Sequence, residues 1–93
     1  MINLLEEVKN YLDITWDDEA GDKKISSLIK SGIFDIEQWA GVERGKIDFG
    51  TDKAALMILK DYVRYARSNA LEEFEGNYID KIIQLRERYG GRI

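Results

Sequence analysis

Ala54-Ala55-Leu56-Met57-Ile58-Leu59-Lys60-Asp61-Tyr62-Val63-Arg64-Tyr65-Ala66-Arg67-Ser68-Asn69-Ala70 decides the fold of this 93-residue chain. Set at about 100° per residue, Ala55, Ile58, Leu59, Tyr62, Val63, Ala66 and Ala70 form the centre of one arc, with Leu56 and Tyr65 at its edges. The arc spans about 180°, well beyond the ~100° stripe of a helix that covers a core from one side. So broad an apolar face must be packed from several directions, which makes this segment the predicted hub of a helical bundle. An N-cap at Thr51 or Asp52 opens it, and the pattern carries it to Phe74 or Glu75. Arg64 and Arg67 point away from the arc, and on this helix Leu71 also projects to the polar side.

Three further helical segments surround it. Asn3, with Glu6 three residues on, caps a short amphipathic helix to Leu12 whose face carries Leu5, Val8 and Leu12. A second helix from Glu19 to Ala40 gathers Ile25, Leu28, Ile29, Gly32, Ile33, Ile36, Trp39 and Ala40 in one arc. Gly32 costs about 1 kcal/mol there relative to Ala, and it permits a close helix crossing. Phe34 falls on the opposite, polar face. Gly76-Asn77 then reads as a break, with Asn77 capping a fourth helix from Tyr78 to Tyr89. That helix turns Tyr78, Ile79, Ile82, Ile83, Leu85 and Tyr89 inward, and Arg86 lands in the same arc with its stem on apolar surface. Gly90-Gly91 ends it.

Two connections separate these helices. Residues 14–22 hold Trp16 followed by Asp17, Asp18 and Glu19, acids that suit the positive end of the second helix's dipole. Asp13, Thr15 and Asp17 mimic the start of a calcium loop, but Asp18 stands where that loop needs Gly and Lys24 where it needs Glu. Residues 41–50 form the one glycine-rich loop. Gly45-Lys46 there lacks the upstream Gly and the following Ser or Thr of a phosphate loop. Val42, Ile47 and Phe49 fold this loop back on the body or on a neighbour, and a short β-hairpin fits the same stretch.

The expected fold is therefore a single all-α domain over 1–93, a small bundle of about four helices with a long central third helix. The chain contains no His, Cys or Pro, and 14 basic against 18 acidic residues give a net charge of −4. Imidazole bases, thiol nucleophiles and Cys-based zinc sites are thus excluded. Carboxylates cluster at helix ends, the serines lack a nucleophile elbow, and no catalytic, cofactor or metal constellation assembles. The acidic balance opposes non-specific nucleic-acid or anionic-membrane binding. No apolar run approaches the ~20 residues of a membrane span and no secretory leader is visible, so a cytoplasmic protein is expected. A helix-turn-helix DNA reader is weakened by the long acidic linker after the first helix and by the acids interspersed among the basic residues of helices three and four.

The order and spacing of several stretches resemble the small head–tail connector proteins of tailed phages. They are Leu4-Leu5-Glu6-Glu7-Val8-Lys9-Asn10-Tyr11-Leu12, Ile36-Glu37-Gln38-Trp39-Ala40-Gly41, and Tyr62-Val63-Arg64-Tyr65-Ala66-Arg67-Ser68-Asn69-Ala70-Leu71-Glu72-Glu73-Phe74. The likeness is greatest to members from siphophages and prophages of Gram-positive bacteria, and it covers nearly the whole chain. Phe49-Gly50-Thr51 stands where many relatives carry a Pro.

The resemblance implies a head-completion adaptor without enzymatic activity or cofactor. Such proteins form a ring, commonly about twelve-fold, beneath the portal protein. The ring extends the DNA channel, passes DNA without specific binding, and presents a platform to the stopper or tail-completion protein. The implied location is the virion head–tail junction, with host cytoplasm before assembly. On that basis Phe34, Leu71, Val42, Ile47 and Phe49 are the candidate subunit contacts, and Arg86, Arg88, Tyr89 and Ile93 the candidate portal contacts. A small helical protein-binding or DNA-binding regulator is the alternative.

Overall fold

The computed structural model describes residues 3–91, which form four α-helices and no strand. The helices are α1 (Leu4–Tyr11), α2 (Glu19–Ala40), α3 (Lys53–Arg67) and α4 (Phe74–Tyr89), and a 3-10 turn, Leu71–Glu73, leads into α4. Asn3 and Asp52 cap α1 and α3 by accepting from the Glu6 and Ala55 N–H groups at 3.2 and 3.1 Å, as their positions before an apolar run predict. Asp18 occupies the cap position of α2 but makes no capping hydrogen bond.

All four helices end alike. Asp13, Gly41, Asn69 and Gly90 each follow a helix with φ between 56° and 66°. The next N–H in each case reaches back five residues: Ile14 to Lys9, Val42 to Glu37, Ala70 to Tyr65 and Gly91 to Arg86, at 2.7–3.0 Å. This left-handed stop satisfies carbonyls that the helix itself leaves open. Only two of the four stops carry glycine; at the others, Asp and Asn are the residues that best tolerate the left-handed region.

The third of these stops corrects the expected boundaries. The sequence pattern extended the third helix to Phe74 or Glu75, whereas α3 ends at Arg67 and the break lies at Ser68–Ala70. Gly76 and Asn77 sit inside α4, and Asn77 caps nothing; its amide donates to the Tyr65 hydroxyl at 3.2 Å. Phe74 supplies the physical reason. Nine residues along one continuous helix, it would stand on the side opposite Tyr65. The reversal at Asn69 instead brings its ring within 5.3 Å of Tyr65 and 5.4 Å of Tyr62. It also stacks on Tyr78 at 4.5 Å and is completely buried. One fully enclosed aromatic outweighs the local preference to continue the helix.

The third helix is not the longest, since α3 has 15 residues and α2 has 22. It is nonetheless the hub, packing on α1, α2, α4 and the 3-10 turn. Ala55, Ile58, Leu59, Tyr62 and Val63 of its arc are all core residues. The principal extents are 39 × 30 × 17 Å. A helix with its side chains is about 10 Å across, so the body is a slab at most two helices thick. In so thin a slab the helices keep faces on solvent, which is where partners are met.

Candidate interaction surfaces

The side chains that leave the core at these faces are few. Among the described residues, Trp16, Phe34, Met57 and Ile79 are the large apolar side chains exposed, at 60, 45, 42 and 39%. Each comes from a different element: the α1–α2 connection, α2, α3 and α4. Phe34 is outward as its helical phase predicts, at the edge of a groove shared with Gln38, Gly41 and Arg44. Ile79 corrects an expectation, since it was assigned to the inner side of the fourth helix. Starting α4 at Phe74 hands the interior to Phe74, Tyr78, Ile82 and Leu85.

The other candidate subunit contacts are corrected as well. Val42, Ile47 and Phe49 are 4–8% exposed and belong to the core of their own chain. One carboxylate ties the loop to the body and a second braces it from within. Glu37, itself buried, accepts from the Gly45 N–H at 2.9 Å, and Asp48 accepts from the N–H groups of Gly50 and Thr51 at 3.0 and 3.3 Å. These bonds satisfy loop backbone that a β-hairpin would otherwise have paired. Leu71 is half-buried and packs on the core, because it follows the left-handed reversal and no longer shares the phase of α3.

The candidate portal contacts are drawn into the protein's own structure. The Arg86 guanidinium donates to the Trp39 carbonyl at 2.9 Å, while its Nε is buried without a partner. Gly91 closes the same junction, since a β-carbon on it would clash with the Ala40 carbonyl oxygen. Arg88 and Tyr89 both donate to Asp52 Oδ2, each at 2.6 Å. Asp52 therefore caps α3 and ties it to α4 at once. Burial would raise its pKa, but the hydrogen bonds from Tyr89, the Ala55 N–H and Arg88 outweigh burial and hold it below its ordinary 3.8. Arg88 keeps half of its side chain exposed. Ile93 lies outside the described residues.

Besides Glu37, two buried charged groups escaped the sequence reading. Asp61 on α3 accepts from the Tyr11 and Tyr78 hydroxyls, the latter at 2.7 Å, so one carboxylate joins α1, α3 and α4. Burial, and then this carboxylate, push the Tyr78 phenol up to about 12. Lys9 on α1 is 3% exposed and bridges Asp17 and Asp22 at 3.1 and 3.0 Å, which anchors the α1–α2 connection. The hydrogen bond to Asp22 raises its pKa against the desolvation that would lower it. Asp61 had a signal: an acid set between Ile58 and Tyr62 within a wide apolar arc. Lys9 had none, because its partners come from a connection whose path the sequence does not state.

No group of three or more His, Cys, Asp or Glu residues among the described residues is arranged to hold a metal ion. No helix among them is long and apolar enough to cross a membrane. The buried charged side chains Lys9, Glu37 and Asp61 are each engaged, by Asp17 and Asp22, by the Gly45 N–H, and by the Tyr11 and Tyr78 hydroxyls. Compared with family models, curated proteins and solved structures, the chain finds no match.

Proposed function

We propose that this protein is a structural adaptor of the head–tail connector kind, a subunit of a ring beneath a phage portal that extends the DNA channel toward a stopper. The observation that carries a binding role is the placement of Trp16, Phe34, Met57 and Ile79, large apolar side chains exposed on four separate elements of a thin helical slab. A subunit in a closed ring needs two different patches for its neighbours and further ones for the components above and below. The resemblance of the helical stretches, in order and spacing, supplies the identity of those components. Of the portal contacts first assigned, Arg88 alone keeps an exposed guanidinium, and it is kept as part of that contact.

The alternative of a DNA-binding regulator draws on a basic cluster around Met57. Lys60 and Arg88 of that cluster are already paired with Glu7 and Asp52. Within that cluster Lys53 and Lys81 are left to neutralise phosphates, too few for a duplex backbone. Electron microscopy of the protein mixed with the portal of its own phage tests the proposal. A collar of density below the portal is expected, and an undecorated portal at saturating protein overturns the reading. A salt-sensitive gel shift with duplex DNA would favour the regulator.

A further inference from the structure

Met57 stands on α3 between two shallow grooves. Leu56 and Lys60 line one, Lys81 and Arg88 the other, and Lys53 borders the first. Glu7 is the single acid in their lining. Lys53 and Lys81 have no acidic partner among the described residues, so a chain of net charge −4 carries here a local excess of positive charge around an exposed methionine.

Complementary chemistry exists on the same chain. Residues 13–19 hold Asp13, Asp17, Asp18 and Glu19, no basic residue, and Trp16 as the most exposed large apolar side chain. The Asp17 and Glu19 side chains are 96 and 88% exposed even with their lysine partners in place. Trp16 borders a groove with Ala66 and Arg67, at the far end of α3 from Met57. Met57 and Ala66 are nine residues apart, which is about 13 Å along the helix and about half a turn around it. The two patches therefore lie at opposite ends and on opposite sides of the hub helix, and they cannot meet within one chain.

We infer that they meet between chains: the Trp16 loop of one copy seats its indole on the Met57 patch of the next, with Asp17 and Asp18 facing Lys53 and Lys81. The contact is heterologous, so each copy keeps one free patch of each kind and can add neighbours in both directions. An aromatic anchor enclosed by charge pairs is the usual anatomy of a specific contact. The inference deepens the adaptor reading and rests on it for the identity of the occupant as a second copy.

Because the chain has no cysteine, Thr15→Cys and Ala54→Cys variants, which stand beside Trp16 and Met57 and leave both anchors in place, are read directly by a short bis-maleimide cross-linker. Both positions are exposed, so folding is preserved, and circular dichroism checks this. Equal amounts of the two variants are expected to cross-link roughly tenfold faster than either alone, since docking raises the effective concentration of the two thiols. Adding Lys53→Glu and Lys81→Glu to the Ala54→Cys chain removes that advantage, and Asp18→Lys on the Thr15→Cys chain, which spares the Asp17 partner of buried Lys9, restores part of it. Equal rates in mixed and unmixed samples, or indifference to charge reversal, overturn the inference. Its failure is separable from that of the adaptor reading. A collar on the portal built equally well from Trp16→Ala, Met57→Glu chains sinks this contact alone, and a preserved cross-link with an undecorated portal sinks the reading alone.

Discussion

Gly32 of α2 lies against the ring of Tyr62 on α3, so closely that a β-carbon at Gly32 would come within 2.8 Å of Tyr62 Cδ1. The ring has no room to retreat. Its hydroxyl is held by Asp35 at 2.6 Å and its edge packs on Phe74. Gly32→Ala gains about 1 kcal/mol of helix propensity but forces an overpacking cost of about 1–3 kcal/mol. A net loss of roughly 1 kcal/mol is expected in urea unfolding. Gly76, inside α4, has open space where a β-carbon would go. Gly76→Ala should therefore stabilise the fold by about 0.5–1 kcal/mol, whereas a true break at Gly76 would make it neutral or harmful.

Asp61→Ala removes the acceptor shared by Tyr11 and Tyr78 and leaves two partly buried hydroxyls without it. Groups orphaned in this way cost about 1–3 kcal/mol each, and a total loss of about 2–4 kcal/mol is expected. The loss should shrink when Tyr11→Phe and Tyr78→Phe are present. A double-mutant cycle by chemical denaturation measures that coupling.

The Asp52 junction makes stability depend on acid. Its pKa is lower folded than unfolded, so its contribution is complete above the unfolded value and is lost as pH falls below about 4 and through the folded value. Urea midpoints followed downward from neutral pH should drop less steeply in Asp52→Asn than in the native chain. At the alkaline end the sign reverses. Tyr78, raised from 10.0 to about 12, stabilises the fold below pH 10 and loses that contribution as pH rises through 12. The Tyr11, Tyr62 and Tyr89 phenols are raised too, by Asp61, by burial and by Asp52 respectively. Phenolate absorbance should thus rise at higher pH in the folded chain than in urea.

Asn69 holds φ at 56° where α3 turns into the 3-10 segment. Asn69→Gly should be neutral or slightly stabilising, because glycine adopts this conformation without strain. Asn69→Val should cost about 1–2 kcal/mol, since a β-branched residue resists the left-handed region. Thermal unfolding of the two variants orders them. The opposite order would restore a continuous third helix.

Much of the bundle was legible because capping and periodicity are local. Asn3, Asp52, Gly41 and Gly90 mark helix ends where expected, and the inner arcs of α2 and α3 are those read from the spacing. The error at the third helix arose because glycine is the stronger breaker by propensity. Gly76-Asn77 looked like the stop, while the real one rests on Asn69 and on the distant cavity that Phe74 fills. The candidate surfaces were less legible still. Phe34 was placed outside correctly, but Trp16 and Met57 were passed over, Ile79 was turned inward, and Val42, Ile47, Phe49 and Leu71 were offered as subunit contacts although their own chain covers them.

By itself the sequence determined that this protein is a helical bundle and which face of each long helix turns inward, because periodicity acts over one or two turns of chain. Only the tertiary structure decided which apolar residues outside those faces stay in water. Burial of Val42 or Phe49 depends on what remote segments bring over them. Exposure of Trp16 and Met57 follows from the core having closed without them.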